Sequence, residues 1–317
     1  MPLSARLGKG DRPTLRLSAG QLAARDRVLA ALADGTYELE DAACFCGGAA
    51  LDLEIAERDR YGLPVRTVLC QHCGLLRTTP RMTAESTSRF YDRDYRDLYT
   101  GPGNAEALFA GQVARGRGLV NLLSKLLPKV DRVYEVGCGA GGLLLPFAEA
   151  GKTVAGVDLG GEYLDTGRAQ GLRLVQGNAS ALLAETREPA DLVLLVHVLE
   201  HYLDLKSAVH ETCELVAPGG LLLVEVPGLA SIAHGYGGDI LRYLQNAHTY
   251  HFTGATLGFV LRRCGLEVLA CTDDALALCR RPAQLHEDLV VPAPGEAARN
   301  LRSLAELERA YLTRRAA

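Results

Sequence analysis

Short apolar runs separated by polar, periodic stretches organise most of this chain. From Asp131 onward they alternate regularly. RVYEVG is followed by GLLLPFAEAG, TVAGVD by EYLDTGRAQG, LRLVQG by ALLAE, and DLVLLVHVL by DLKSAVHETCELVA, before PGG and LLLVEVPG. The first member of each pair is a continuous apolar run of strand length, and the second has helix-like spacing. Strands alternating with helices predict an α/β architecture, a mostly parallel sheet with helices on both faces. Upstream, residues 20–35 (GQLAARDRVLAALADG) have helical periodicity and stop at a glycine. A second helical pattern starts after a break at GPGN, 101–104, and runs to Leu127, where Pro128 closes it. The chain ends in GEAARNLRSLAELERAYLTRRAA, a charged amphipathic helix by its pattern. The stretch 36–100 follows neither period. It is rich in charge and turns and ends in the aromatic run RFYDRDYRDLYTG.

Composition narrows the class. The chain has 317 residues, 48% hydrophobic and 23% charged, which suits one large domain with a smaller companion. A formal net charge of -4 gives no general attraction to nucleic acid or to an anionic membrane. No run nears the ~18 apolar residues of a membrane span. The opening MPLSARLGKGDRPTLRLSAG lacks the apolar centre of a secretory signal. Nine cysteines, five of them (Cys138, Cys213, Cys264, Cys271 and Cys279) in apolar contexts, fit a reducing compartment, and a cytoplasmic location is expected.

The chemistry begins at VYEVGCGAGG, where Gly137, Gly139, Gly141 and Gly142 crowd the turn between the first strand and a helix. Glycine weakens both kinds of element, so a close approach or a tight turn requires it here. This turn is where open α/β sheets bind nucleotides. Gly137, Gly139 and Gly142 satisfy the dinucleotide spacing GxGxxG, so the glycines alone leave the ligand open. Glu135 bears on the choice, because a carboxylate in the strand end repels a pyrophosphate and suits a cationic amino-acid group. Asp158 ends the next strand, where ribose hydroxyls are held, and Asn178 ends the third, within reach of an adenine edge. An amino acid, a ribose and an adenine without phosphate describe S-adenosylmethionine.

With VYEVGCGAGG, GVDLG, QGNA, DLVLLVHVLEHYLD and LVAPGGLLLVEVPG in order, residues 105–275 resemble the class I S-adenosylmethionine-dependent methyltransferases. The resemblance implies a Rossmann-like seven-stranded sheet whose last strand is antiparallel, with GLEVLACTDDA and LALCRR supplying the final two. It implies that Glu135, Gly137 and Gly139 hold the methionine end, Asp158 the ribose, and Asn178 and Ala179 the adenine. His197 and Val198 would line the sulfonium.

Cys44 and Cys46 (CFCGG) and Cys70 and Cys73 (CQHCGL) form two glycine-turn pairs, a pattern for one structural zinc held by four thiolates. These pairs, the stretch to residue 101, and NAHTYHFTGATLGFVLRRCGLEV resemble a bacterial methyltransferase subfamily with an N-terminal zinc-binding domain. Several of its members methylate sugars in natural-product or surface-polysaccharide synthesis. The resemblance implies a small-molecule acceptor, a sugar or sugar nucleotide. In this subfamily a glutamate usually precedes the histidine that matches His248, and Ala247 stands there instead. The expected organisation is a helical segment (1–35), a zinc-binding domain (36–100), a methyltransferase domain (101–280) and a helical tail (281–317). A hydroxyl acceptor must lose its proton, which suits a histidine. His248 and His201 are the leading candidates, His251 a third. Residues 228–246, with Gly235, Gly237 and Gly238, are expected to form a mobile lid. Rival readings are C- or N-methylation, a non-catalytic binder, and nucleic-acid modification through the cysteine cluster. The balance of Asp and Glu against Arg between 44 and 100 disfavours nucleic acid.

Overall fold

A computed structural model describes residues 1–48, 51–99, 105–285 and 290–316; the expected break at 101–104 lies outside them. Helix α1 (Ala19–Ala33) opens with a capping box between Ser18 and Gln21. Five short strands follow, β1 (Leu39–Glu40), β2 (Asp52–Ala56), β3 (Thr67–Cys70), β4 (Leu76–Thr78) and β5 (Arg81–Met82). Then come α2 (Ala84–Phe90), one π-helical turn (Tyr91–Tyr95), α3 (Arg96–Tyr99) and α4 (Ala105–Leu122). The alternating part runs β6 (Arg132–Val136), α5 (Leu145–Glu149), β7 (Thr153–Asp158), α6 (Gly161–Ala169), β8 (Arg173–Gln176), α7 (Ala179–Thr186), β9 (Ala190–Val196), α8 (Leu205–Glu214) and β10 (Val216–Glu225). The chain closes with α9 (Ile232–Gly235), α10 (Ile240–Tyr243), β11 (Tyr250–His251), α11 (Gly254–Arg263), β12 (Glu267–Cys271), β13 (Leu276–Arg280) and α12 (Glu296–Ala316).

Seven strands form the main sheet in the order β12-β13-β10-β9-β6-β7-β8. Strand β13 is antiparallel to both its neighbours, and the other pairings are parallel. Alternation along each strand divides the core in two. Val133, Leu192 and Leu194 face Leu119 of α4, Phe147 of α5 and Leu164 of α6. Tyr134, Val193 and Leu195 face Leu182 of α7, Val209 of α8 and Val260 of α11. Leu192 to Leu195 of the central strand β9 are all 1% exposed or less, and each such side chain contributes about 1.5–3 kcal/mol by leaving water. Helix α4 stops at Leu122, short of the expected Leu127; Leu127 instead opens a separate 3-10 turn, Leu127–Lys129.

The smaller sheet is antiparallel, in the order β11-β4-β3-β2, so the 36–100 stretch does not close it alone. Tyr250 and His251 pair with Arg77 and Leu76. The segment expected to be a mobile lid is packed beneath this sheet. Leu229, Ile232, Ile240, Leu241, Tyr243 and Leu244 share one apolar cluster with Leu7, Ile55, Leu69, Leu76 and Leu304. Its apolar residues find partners there, and Gly237 and Gly238, at φ +65° and +72°, turn the chain between α9 and α10. No helix among the described residues is long and apolar enough to cross a membrane.

Candidate active site

Strands β9, β6, β7 and β8 lie side by side, and their C-terminal ends carry every residue expected to meet the methyl donor. The chain order reverses between β6 and β9, the position where open α/β sheets form a ligand crevice. After β6 the chain turns at once, because Gly137 and Cys138 both donate their N–H groups to the Val157 carbonyl, at 2.8 and 3.0 Å. Gly137 has φ +71°, and a Cβ there would lie 2.3 Å from Cγ2 of Val198. The first glycine is therefore set by backbone conformation and by Val198 packing onto it. Gly139, at φ +55°, donates its N–H to Oδ2 of Asp158 at 2.9 Å, while Oδ1 accepts from Gly160 at 2.8 Å. Asp158 thus ties the glycine turn to the end of β7.

Glu135 is the unusual member. It is 1% exposed, and its Oε2 has no hydrogen-bond partner among the described residues. Burial, and then the nearby Asp158 charge, push its carboxyl well above the ordinary carboxylate range. A buried acceptor of this kind costs stability unless a donor arrives. Asn178, expected at an adenine edge, also has a local role. It caps α7, its Oδ1 accepting from the Ala181 N–H at 3.2 Å, so its amide nitrogen is the end left to donate. Ala179 is buried at the first turn of α7. His197 adopts φ +55°, and its N–H donates to the Glu225 carbonyl at 2.7 Å.

Just past Val198, the chain assembles a second group of titratable side chains. Glu200 is 1% exposed, and neither carboxylate oxygen has a hydrogen-bond partner among the described residues. Its Oε1 stands 3.7 Å from Nε2 of His201, 3.8 Å from Nε2 of His248 and 3.7 Å from Nδ1 of His197. The backbone brings His248 here, since the Thr249 N–H donates to the Glu200 carbonyl at 2.8 Å. Nδ1 of His201 lies 3.0 Å from the Ala247 carbonyl and 2.8 Å from the Tyr91 hydroxyl. Burial lowers the pKa of His248 well below its ordinary value, reinforced by His201. Burial likewise lowers His201, against the opposing pull of Glu200. Burial also works to lower His197, but Glu200 and Glu225 carry it above the ordinary value. His251 stands apart on β11. Its ring lies 6.0 Å from that of His248, neither nitrogen has a hydrogen-bond partner among the described residues, and burial depresses its pKa to about 3.

In the smaller sheet the four expected cysteines converge. Sγ of Cys44 lies 3.5 Å from that of Cys73, and Sγ of Cys46 3.7 Å from that of Cys70. All four sulfur atoms lie within 4.8 Å of one another. Gly47 and Gly74, at φ +68° and +80°, make the turns after the two pairs. The Gly48 N–H points at Sγ of Cys46.

Residues 110–270, half of the chain, match the family model described as a methyltransferase domain. The chain belongs to the methyltransferase-domain family. With its sheet order and glycine turn, it carries a class I S-adenosylmethionine-dependent methyltransferase domain. Among curated relatives, the ubiquinone biosynthesis O-methyltransferase of Brucella anthropi is 33% identical over 132 residues, 38% of this chain and 52% of that protein. The enzyme of the same name from a Shewanella species is 36% identical over 97 residues, 29% of this chain and 41% of that one. The chain spans about two fifths to half the length of these curated relatives. A solved structure of Burkholderia thailandensis 1,6-didemethyltoxoflavin-N1-methyltransferase aligns with a TM-score of 0.49 and 17% identity, covering 66% of this chain and 96% of that one.

Two members of the candidate site escaped sequence reasoning. Glu200 reads locally as a capping or pairing residue, and only the fold sets three imidazoles around it. Tyr91 was legible in principle. Tyr91, Tyr95 and Tyr99 recur every four residues, and their rings form a column with centroids 4.5 and 4.6 Å apart. Phe90 and Tyr91 line a small cavity with Arg81, His201, Asn246 and Ala247, where the smaller sheet's segment meets the methyltransferase domain.

Proposed function

We propose that this methyltransferase transfers a methyl group from S-adenosylmethionine to a hydroxyl oxygen of a small acceptor. The observation that carries the reading is Glu135, a fully buried carboxylate oxygen without a donor, set under the glycine turn and beside Asp158. The cationic amino group of the methyl donor completes Glu135, and Asp158 keeps lone pairs for ribose hydroxyls. Gly139 allows close approach of the backbone, Asn178 offers its amide nitrogen to the adenine, and Val198 and His197 border the sulfonium. When bound, S-adenosylmethionine supplies a methyl carbon already activated by its sulfonium, so the protein contributes mainly position.

The acceptor lies on the side of Glu200, His201 and His248, and these three groups activate its hydroxyl. The Tyr91, Tyr95 and Tyr99 column supplies flat apolar surface next to them. Oxygen as the methylated atom is favoured by the curated relatives, which are named O-methyltransferases. A sugar or sugar nucleotide is the acceptor class that the N-terminal resemblance favours. The cysteines fit a structural zinc, because a tetrahedron with bonds of about 2.3 Å has edges of about 3.8 Å, close to the two sulfur spacings. Such an ion would pin the loops that carry β2 to β4. The reading is tested by incubating the protein with S-adenosylmethionine and panels of sugars, sugar nucleotides, phenols, amines and nucleic acids. A 14-dalton gain on a hydroxylated small molecule is expected. Methylation confined to amines or to nucleic acid would overturn the acceptor class, and absence of S-adenosylhomocysteine binding would overturn the cofactor assignment.

A further inference from the structure

Glu200 poses a charge problem that hydrogen bonding does not solve. A carboxylate 1% exposed, with neither oxygen hydrogen-bonded among the described residues, is costly unless a cation neutralises it. Three imidazole nitrogens face Oε1, from His201, His248 and His197, at 3.7, 3.8 and 3.7 Å. A protonated imidazole meeting this carboxylate would close to about 2.7–2.9 Å, the length of a charge-assisted bond. All three stand off by nearly an ångström more. Ligands sharing one ion through bonds of about 2.0–2.2 Å are separated by about 3.0–3.5 Å, and these spacings lie nearer to that range than to a hydrogen bond. One ligand atom each from Glu200, His201 and His248 lies within 4.8 Å of the other two.

We propose that Glu200, His201 and His248 hold one divalent transition-metal cation, leaving positions open for water and for the acceptor's hydroxyl. Two imidazoles and one carboxylate form a facial donor set of the kind that binds iron, manganese, cobalt or zinc with open positions. The surroundings orient these ligands. Nδ1 of His201 donates to the Ala247 carbonyl, with the Tyr91 hydroxyl oxygen beside it, so Nε2 presents its lone pair toward Glu200. The amide of Gln245 also reaches Nε2 of His248, and the cation displaces that contact when it binds. Ala247 occupies the place of a glutamate in the resembled pattern, and Glu200 delivers a carboxylate to the same imidazole from a different strand end. The role of the cation rests on the reading that the acceptor docks here: a hydroxyl ligated to it ionises at a lower pH and gives its proton to solvent water, so no side chain has to take it. The binding itself does not depend on that reading.

The test uses Mn²⁺ as probe, because manganese favours nitrogen and oxygen donors over the cysteine thiolates. The full chain, dialysed free of loosely held metal, is titrated with MnCl₂ while electron paramagnetic resonance reads the free ion. One Mn²⁺ per chain is expected, with affinity falling at least about tenfold in Glu200→Gln and in His248→Gln. His201→Gln serves as a third variant if either of those fails to fold, judged by circular dichroism. No saturable site in the parent, or a site undiminished in the folded variants, overturns the proposal. Calorimetry with S-adenosylhomocysteine on the same samples separates the two readings, since loss of that binding bears on the cofactor assignment alone. Turnover on the true acceptor that is indifferent to removal and return of Mn²⁺ overturns the activating role.

Discussion

Replacing Glu135 with glutamine should weaken the methyl donor's binding and strengthen the empty protein. The side chain is 1% exposed in β6, between Gly156 of β7 and Leu194 of β9, so no water compensates its charge. Glutamine is nearly isosteric, keeps an acceptor oxygen and loses only the charge. A hydrogen bond to a charged group contributes about 1.5–3 kcal/mol, which corresponds to a roughly 10- to 150-fold loss of affinity for S-adenosylhomocysteine. Stability moves the other way. Burial raises the folded-state pKa of Glu135 above its ordinary 4.5, so the folded chain holds this proton longer than the unfolded one. Its contribution is complete below the unfolded pKa and is lost as pH climbs through the folded one. Glutamine cannot ionise, so the melting temperature of Glu135→Gln should rise relative to the parent as pH increases from 4.5. Calorimetry in buffers of different ionisation enthalpy gives a third reading. At pH values where the empty protein carries the proton, ligand binding should release it in the parent and not in the variant. Parental affinity in a folded Glu135→Gln, with the same proton release, would falsify the assignment of Glu135 to the amino group.

Three other outcomes are expected. Asp158→Ala should weaken S-adenosylmethionine binding by about 1.5–3 kcal/mol, and unchanged affinity by calorimetry in a folded variant refutes the ribose assignment. Elemental analysis of protein purified without added metal should give about one zinc per chain. Four freely titrating thiols at Cys44, Cys46, Cys70 and Cys73 in native protein, with no zinc, would sink that site. His248→Ala should lower turnover by roughly 10²–10⁴-fold while S-adenosylhomocysteine affinity stays near the parent's, with His201→Ala as the comparison. Retained turnover in both would leave catalysis to positioning alone.

What the chain shows in its sequence depends on how local the physics is. The alternating strands and helices from Arg132 to Glu225 were readable because local pattern marks them, apolar runs of strand length between stretches of helix-like spacing. The antiparallel β13 followed from the resemblance and is present. The cysteine pairs were readable because each sits beside its glycine turn. Other features depend on distant partners. Strand β11 is two residues long, too short for any period, and exists because Tyr250 and His251 find Arg77 and Leu76 some 170 positions earlier. The lid expected at 228–246 became core for the same reason: glycines signal a turn, but only the fold shows what Leu229 and Ile240 pack against. Asn178 was read by its hydrogen-bonding ability, and a helix N-terminus claimed part of that ability first.

The way the two sheets join accounts for the location of the proposed acceptor side. The smaller sheet takes β11 from the methyltransferase part of the chain, and the segment just before it delivers Ala247 and His248 to the end of β9. In return, the smaller part sends Tyr91 to Nδ1 of His201, and Tyr99 to Asn246 and Ala247. Of the groups around Glu200, His201 is therefore held from both sides, by the Ala247 carbonyl and by the Tyr91 hydroxyl. The donor side is different. Glu135, the glycine turn, Asp158 and Asn178 all lie within the central sheet and its own turns. Changes in the smaller part should then alter the choice of acceptor and the catalytic rate while leaving the methyl donor's affinity nearly untouched. Tyr91→Phe isolates this coupling, since it removes only the hydroxyl that meets His201 and preserves the ring column. A drop in turnover with unchanged S-adenosylhomocysteine affinity is expected. An equal loss of both would show that donor and acceptor sides are not separable as the sheet arrangement implies.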